Sequence, residues 1–144
     1  MAQAPTGPQY VIRPWAVSLE LLAYLASQGL GTYVSTATTG NTLFLNRMPD
    51  TPVVACSLNP DPSPAPRSGL SRPHFTLYIR DTTVASGGAR AALAFEALHQ
   101  KSLPLTSYFL YSECDGLPSA FTFNQNNFPV HVLNITTSGM VKRA

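Results

Sequence analysis

Three histidines and two cysteines are the groups in this chain best suited to chemistry. His74, His99 and His131 lie far apart, and none stands at a ligand spacing from a Cys or another His, so they read as structural histidines and no metal site is expected. Glu113-Cys114-Asp115 places a thiol beside carboxylates. A nucleophilic cysteine also needs a His base, which only folding can bring near, so this spacing carries almost no information. Gly87-Gly88-Ala89-Arg90 at a helix start could cradle an anion on its free amides. Its glycine spacing matches neither the dinucleotide fingerprint nor the P-loop, which leaves a loosely wound first turn. Asn134-Ile135-Thr136 fits a glycosylation acceptor, which has no meaning without secretion. Tyr108, Phe109, Tyr111, Phe121 and Phe123 fall in strands, as in RNA-stacking sheets. They lack interleaved basic residues, and core and interface packing is the expected role. No catalytic residue and no cofactor is expected.

The elements that must position these groups follow from spacing. Residues 1–13 read as a flexible arm, because Pro5 and Pro8 deny it helix. Pro14 opens a helix predicted over 14–28. Leu19, Leu22, Ala23 and Ala26 fall at i, i+3, i+4 and i+7 and predict its buried face, widened by Leu21 and Leu25, with Ser18, Ser27 and Gln28 polar. Glu20 sits near the start, where the helix dipole favours an acid. Gly29 is placed to take the left-handed terminating position. Strands are predicted over 32–37 and 42–46, joined at Thr39-Gly40-Asn41, with a further short apolar strand over 52–58.

Residues 59–73 hold Pro60, Pro62, Pro64, Pro66 and Pro73, which excludes a helix or a central strand and predicts a long extended loop. Phe75, Leu77 and Ile79 then alternate with Thr76, Tyr78 and Arg80 in a strand with one apolar face. Asp81-Thr82-Thr83 supplies cap candidates for a helix over 84–101. Ala85, Ala89, Ala92 and Leu93 are expected to line one of its faces, with Phe95 and Leu98 nearby. Strands are predicted over 105–112, 120–124 and 128–137, with turns at 115–118 and 125–127 and a C-terminal tail at 139–144. The fold class is therefore α+β: a mostly antiparallel sheet with two main helices packed on it, one domain over 14–138.

The chain has 144 residues, which suits a single domain. Charged residues make up only 11%, against about 25% in ordinary globular domains. Depletion of charge marks the cores of interfaces, so this composition points to a subunit that hides part of itself in an assembly. The net charge of +2 comes from two Lys and seven scattered Arg, with no clustered face for nucleic acid. Cys56 and Cys114 read as reduced, buried thiols in strands, since no secretory signal opens the chain. No apolar stretch approaches the ~20 residues that span a bilayer, and no membrane partner is expected.

The order of these pieces resembles the tail terminator family of tailed bacteriophages, also known as minor capsid or minor tail proteins. The resemblance runs over about 14–138. It is carried by Leu21-Leu22-Ala23-Tyr24-Leu25 running into Gly29-Leu30-Gly31, by Leu43-Phe44-Leu45 with Met48-Pro49, and by Pro52-Val53-Val54-Ala55. Tyr78-Ile79-Arg80-Asp81 before a helix with Ala89, Ala92 and Leu98 continues it, and Gly116-Leu117-Pro118 through Phe128 to Ile135 closes it. The family often carries Gly-Arg before its last strand, where Asn126-Asn127-Phe128 stands here, and the loop at 59–73 is longer than the family's usual linker.

The resemblance implies a non-enzymatic virion protein at the tail–neck junction, assembled in the host cytoplasm. It implies a homo-oligomeric ring, commonly hexameric, that caps the tail tube and meets the head–tail connector, with genomic DNA passing through the lumen unread. Subunit or partner contacts are expected at Pro5, Pro8 and Tyr10 in the arm and at Pro60, Pro62, Pro64, Pro66, Arg67 and Arg72 in the loop. Two other readings stand beside it: another neck protein, such as a head-completion or connector component, and a small-molecule or nucleic-acid binding domain.

Overall fold

A computed structural model of the chain describes residues 14–36, 39–61, 72–118 and 121–142. In chain order the elements are α1 (Pro14–Ser27), β1 (Leu43–Leu45), β2 (Ala55–Asp61), β3 (His74–Arg80), α2 (Val84–Leu98), β4 (Lys101–Leu103), β5 (Tyr108–Cys114), β6 (Phe121–Phe123) and β7 (Pro129–Val141). The sheet runs β1-β2-β3-β7-β5-β4, with β6 also paired to β7. Only β1 and β2 run parallel; every other pairing is antiparallel. Two helices on a mostly antiparallel sheet is the α+β class read from the sequence.

Both helices cover the same face of the sheet. Val17, Leu21, Leu22 and Leu25 of α1 share one buried cluster with Ala91, Ala94 and Leu98 of α2 and with Leu58, Phe75, Leu77, Ile79 and Leu133 of the strands. The helices touch directly, where the Tyr24 hydroxyl donates to the Ala97 carbonyl at 2.7 Å. The opposite face of the sheet carries no helix among the described residues.

The helices depart from their forecast stripes to different degrees: α1 keeps Leu21, Leu22 and Leu25 inward as expected, while α2 turns a different stripe inward. In α1, Leu19 is 37% exposed, Ala23 is exposed and Ser18 is buried. The sequence holds two overlapping apolar stripes, and the core takes the one with Val17 and three leucines. Burying a Val or Leu side chain is worth about 1.5–3 kcal/mol, more than an alanine can offer. In α2 the selection runs the other way. Gly87, Ala91, Ala94, Ala97 and Leu98 are buried, while Ala85, Ala89, Ala92 and Leu93 face out. The helix lies so close to β7 that a Cβ on Gly87 would stand 2.8 Å from the His131 ring. Only small side chains fit that gap.

Boundaries moved for local reasons. α2 begins as expected, with the Thr83 side chain accepting from the Ser86 amide. It ends at Leu98, before the 101 expected, because His99 is extended and Gln100 is left-handed at φ 53°. Lys101 therefore opens β4, a strand too short to show in the pattern. Residues 105–107 are a turn where a strand was expected. Glu20 Oε1 accepts from the amides of Thr106 and Ser107 at 2.6 and 3.0 Å. That turn cap, away from the first turn of α1, is the role of this carboxylate.

The predicted strand over 32–37 does not form over its described part, 32–36. Backbone bonds there are confined to the Thr32 carbonyl, which accepts from Thr42 and Leu43, and side chains do the rest: Asn41 Oδ1 accepts from the Val34 amide and Thr42 Oγ1 from the Thr32 amide. Strand β2 continues through Asn59 and Pro60 to Asp61, into what was expected to be loop. Cys56 N and Leu58 O bond toward β1. By alternation Pro60 points the same way, but β1 has already ended opposite Leu58, so its missing N–H costs no ladder bond.

Strand β7 likewise outruns its forecast. The expected tail from Gly139 is strand to Val141, paired with β5 from Ile135 onward. Gly139 permits this, because a Cβ there would fall 1.9 Å from the Phe109 carbonyl oxygen. Gly139→Ala is expected to lower stability by about 3 kcal/mol, as an overpacked position with backbone as its neighbour. Gly116→Ala, with nothing within 4 Å, should change the melting temperature little. Paired thermal melts check both, and equal melting of the two variants would contradict this packing.

Candidate assembly surface

Both thiols are buried, and the histidine near one of them is engaged elsewhere. Folding does bring His99 to Cys114, but His99 Nδ1 accepts the Cys114 backbone amide at 3.2 Å while its ring stacks on Phe95. The Cys114 thiol is pushed up to about 12 by burial, then by the Asp115 and Glu113 carboxylates. A thiol in that state is a poor nucleophile. Cys56 is likewise pushed up to about 12, by burial first. Both thiols are free and buried in strands, as expected. Among the described residues no group of three potential metal ligands forms, and no helix is long and apolar enough to cross a membrane.

The amino end of α2 is already served by the chain's own anion. Asp81 Oδ1 accepts from the Thr82 amide at 2.7 Å and the Ser86 hydroxyl at 2.8 Å, and Oδ2 lies 3.3 Å from Arg90 Nε. Burial alone would raise the Asp81 pKa, but these hydrogen bonds and the Arg90 charge outweigh it and hold the carboxyl below its ordinary value. Arg90 also donates to the Leu30 carbonyl, tying α2 to the end of α1. Gly87 and Gly88, whose spacing did not match an anion cradle, instead form a packing site against His131.

The helix-free face of the sheet is a candidate contact surface, and its rows follow from strand register. One row runs Asp61, His74, Thr136, Glu113 across four strands, and the next runs Asn59, Thr76, Asn134. These rows bond to one another. Thr76 Oγ1 reaches Asp61 Oδ2 at 2.5 Å and Asn134 Oδ1 at 3.2 Å, and Thr136 donates to Asp115 at 2.6 Å.

Further along, Arg80 is only 5% exposed, although the alternation marked its position as polar and outward. Its guanidinium donates to the carbonyls of Pro49, Pro52 and Val53 and pins 49–53 across the sheet. The fork of donors on an arginine suits three acceptors in a way a lysine does not.

At the opposite end the face turns apolar. Phe109, Tyr111 and Met140 are 60%, 41% and 46% exposed. With Ser102, Ser138 and Lys142 they line an open groove of ≈ 460 Å³. Lys142 Nζ sits 5.1 Å above the Phe109 ring and donates to the Leu105 carbonyl. Of the aromatics singled out in the sequence, Tyr108 packs on the core, while Phe109, Tyr111 and Phe123 project outward. The signal for the groove was the alternation of Phe109 and Tyr111 with the buried Leu110 and Ser112.

Of the expected contact residues, Pro60 is half-buried in β2 and Arg72 is exposed just ahead of β3. Pro5, Pro8, Tyr10, Pro62, Pro64, Pro66 and Arg67 lie outside the described residues.

A family model described as "Bacteriophage tail terminator protein" matches residues 24–140. Among solved structures, a chain of the "Virion of native gene transfer agent (GTA) particle" is similar, with a TM-score of 0.54 and 18% identity. The alignment covers 90% of this chain and 99% of that one, a likeness of fold. No curated protein matches.

The Asp81 cluster gives a test with a sign. Because the folded pKa is lowered, its stabilisation is complete above the ordinary value of 3.8 and is lost as pH falls toward the folded value. Asp81→Asn should cost about 1–3 kcal/mol at neutral pH. It should also flatten the loss of stability below pH ~4. Urea melts from pH 7 to 3 measure both, and an unchanged acid limb would count against this carboxylate.

Proposed function

We propose a ring-forming, tube-capping role for this chain, which belongs to the bacteriophage tail terminator family. It is a structural protein of the virion. The observation that carries the reading is the extent of the family match: residues 24–140 run from within α1 to within β7 and take in all of α2 and every strand between.

In the proposed role, copies assemble head to tail into a closed ring, hexameric by likeness to the family, at the junction of tail tube and neck. A heterologous contact repeated by rotation makes such a ring. One ring face copies the acceptor surface at the tube's end, and the other offers tube subunits no matching surface, so addition stops there. That second face meets the head–tail connector, and DNA passes the lumen without being read. The chain works by contact, with no bond made or broken. A surface of few charges and a sheet face without a helix support this mode of action.

The arm at 1–13 and the loop residues Pro62, Pro64, Pro66, Arg67 and Arg72 contact neighbouring subunits in this scheme. Extended segments pair readily with exposed strand edges. Pro60 joins those residues from within β2, beyond the end of β1.

The test is omission of the chain during particle assembly. Tubes are expected to overrun their normal length and to remain unjoined to heads. Tails of normal length joined to heads in its absence would end the proposal. In the complete particle, cryo-electron microscopy should place several copies around the axis at the head-proximal end. If both the arm and the loop stand free in solvent there, their assigned role fails while the ring stands.

A further inference from the structure

The ring reading leaves open which surfaces meet, and this inference rests on that reading. Two apolar surfaces lie on opposite sides of the same plate. One is the groove over β5 and β7. The other is the outward side of α2, which packs its inward side on β7, β5 and β4.

In the groove, Phe109, Tyr111 and Met140 together present roughly 300 Å², taking a side chain of this size as about 200 Å². Patches of that size on a monomer are often functional. It would form the central part of the ~800 Å² that a standard contact takes from each partner.

The outward side of α2 has the complementary form. Ala85, Ala89, Ala92 and Leu93 are exposed at i, i+4, i+7 and i+8, with Val84 beside them. That is the anchor spacing of a helix laid into an apolar groove. It is also the stripe whose periodicity forecast burial, and the monomer does not bury it.

Charge selects the pairing. The groove carries Lys142 at the Phe109 end. Glu113, the carboxylate on the same face of β5, lies at the far end of that strand. The α2 stripe continues into exposed Glu96 at its carboxyl-terminal end. Arg90 does not cancel it, being engaged with Asp81 and the Leu30 carbonyl. A groove packed on a second groove would instead bring each Lys142 toward its own copy, and like charges facing each other are unfavourable.

We propose that the Phe109–Tyr111–Met140 groove of one copy receives the Ala85–Ala89–Ala92–Leu93 stripe of the next, with Glu96 facing Lys142. Because the two surfaces differ and lie on opposite sides of the fold, the contact is head-to-tail, the kind that makes a ring when the rotation per copy closes.

The experiment uses assembled particles carrying Tyr111→Cys and Leu93→Cys in one chain, treated with a short bis-maleimide. Cys56 and Cys114 are buried and stay unmodified. The expected result is a ladder of covalent multimers on a denaturing gel, with each single-cysteine variant remaining monomeric. Several copies per particle without a ladder would overturn the pairing and leave the ring intact. Dimers from Tyr111→Cys alone would overturn it in favour of groove on groove. A single copy per particle would sink the ring reading and this contact with it.

A second measurement is independent of the cysteines. Glu96→Lys should lower the copies incorporated severalfold, and adding Lys142→Glu should restore them. Absence of that rescue would remove the charge pairing.

Discussion

The pairing of β7 with its neighbours on both sides is the constraint on which the rest of the fold depends. Residues 130–136 bond to β3 on one side, while 135–141 bond to β5 and 129–131 to β6 on the other. One strand therefore joins the β1-β2-β3 half of the sheet to the β5-β4 half. Its inward residues, His131, Leu133, Ile135 and Thr137, are almost wholly buried. α2 packs closely on this strand, which is why Gly87, Ala91 and Ala94 line the contact. The exposed groove exists because the last residues of β7 stay in register with β5, and Gly139 allows that register.

Element types were largely legible in the sequence, while the choice of buried face was not. β3 stands on the expected residues, and α1 and the start of α2 stand close to theirs. A helix with apolar residues on more than one stripe does not say which stripe meets the sheet. In α1 the larger side chains won, because they removed more surface from water. In α2 the smaller ones won, because the helix lies too near the sheet for anything else. Such distances are set by tertiary packing and leave no mark in a periodicity. The side-chain caps at Glu20, Asn41 and Thr42 were hidden for a similar reason, since each acts on residues a loop or more away. Of the surface, the alternating aromatics of β5 were visible, but not the face on which they emerge.

Function became readable through absences and order together. The two thiols are buried and held protonated by that burial, so neither is a ready nucleophile. On the helix-free face Thr76 bonds both to Asn134 in its own row and to Asp61 in the next, and Arg80 bonds to backbone carbonyls, so these polar groups are satisfied within the chain. A satisfied polar region beside an apolar groove gives a surface with both a specific pattern and a driving force, as assembly requires. The scarcity of charge matches this division of the face.

Pro60 has a wider consequence. Beyond the end of β1 the flank of β2 lies uncovered by β1, the kind of edge on which a foreign strand can zip up. A proline on that flank withholds the amide hydrogen that a continuous zipper needs. Where many copies crowd together, that single imino acid guards the flank against fibrous clumping and keeps self-association to the ordered kind.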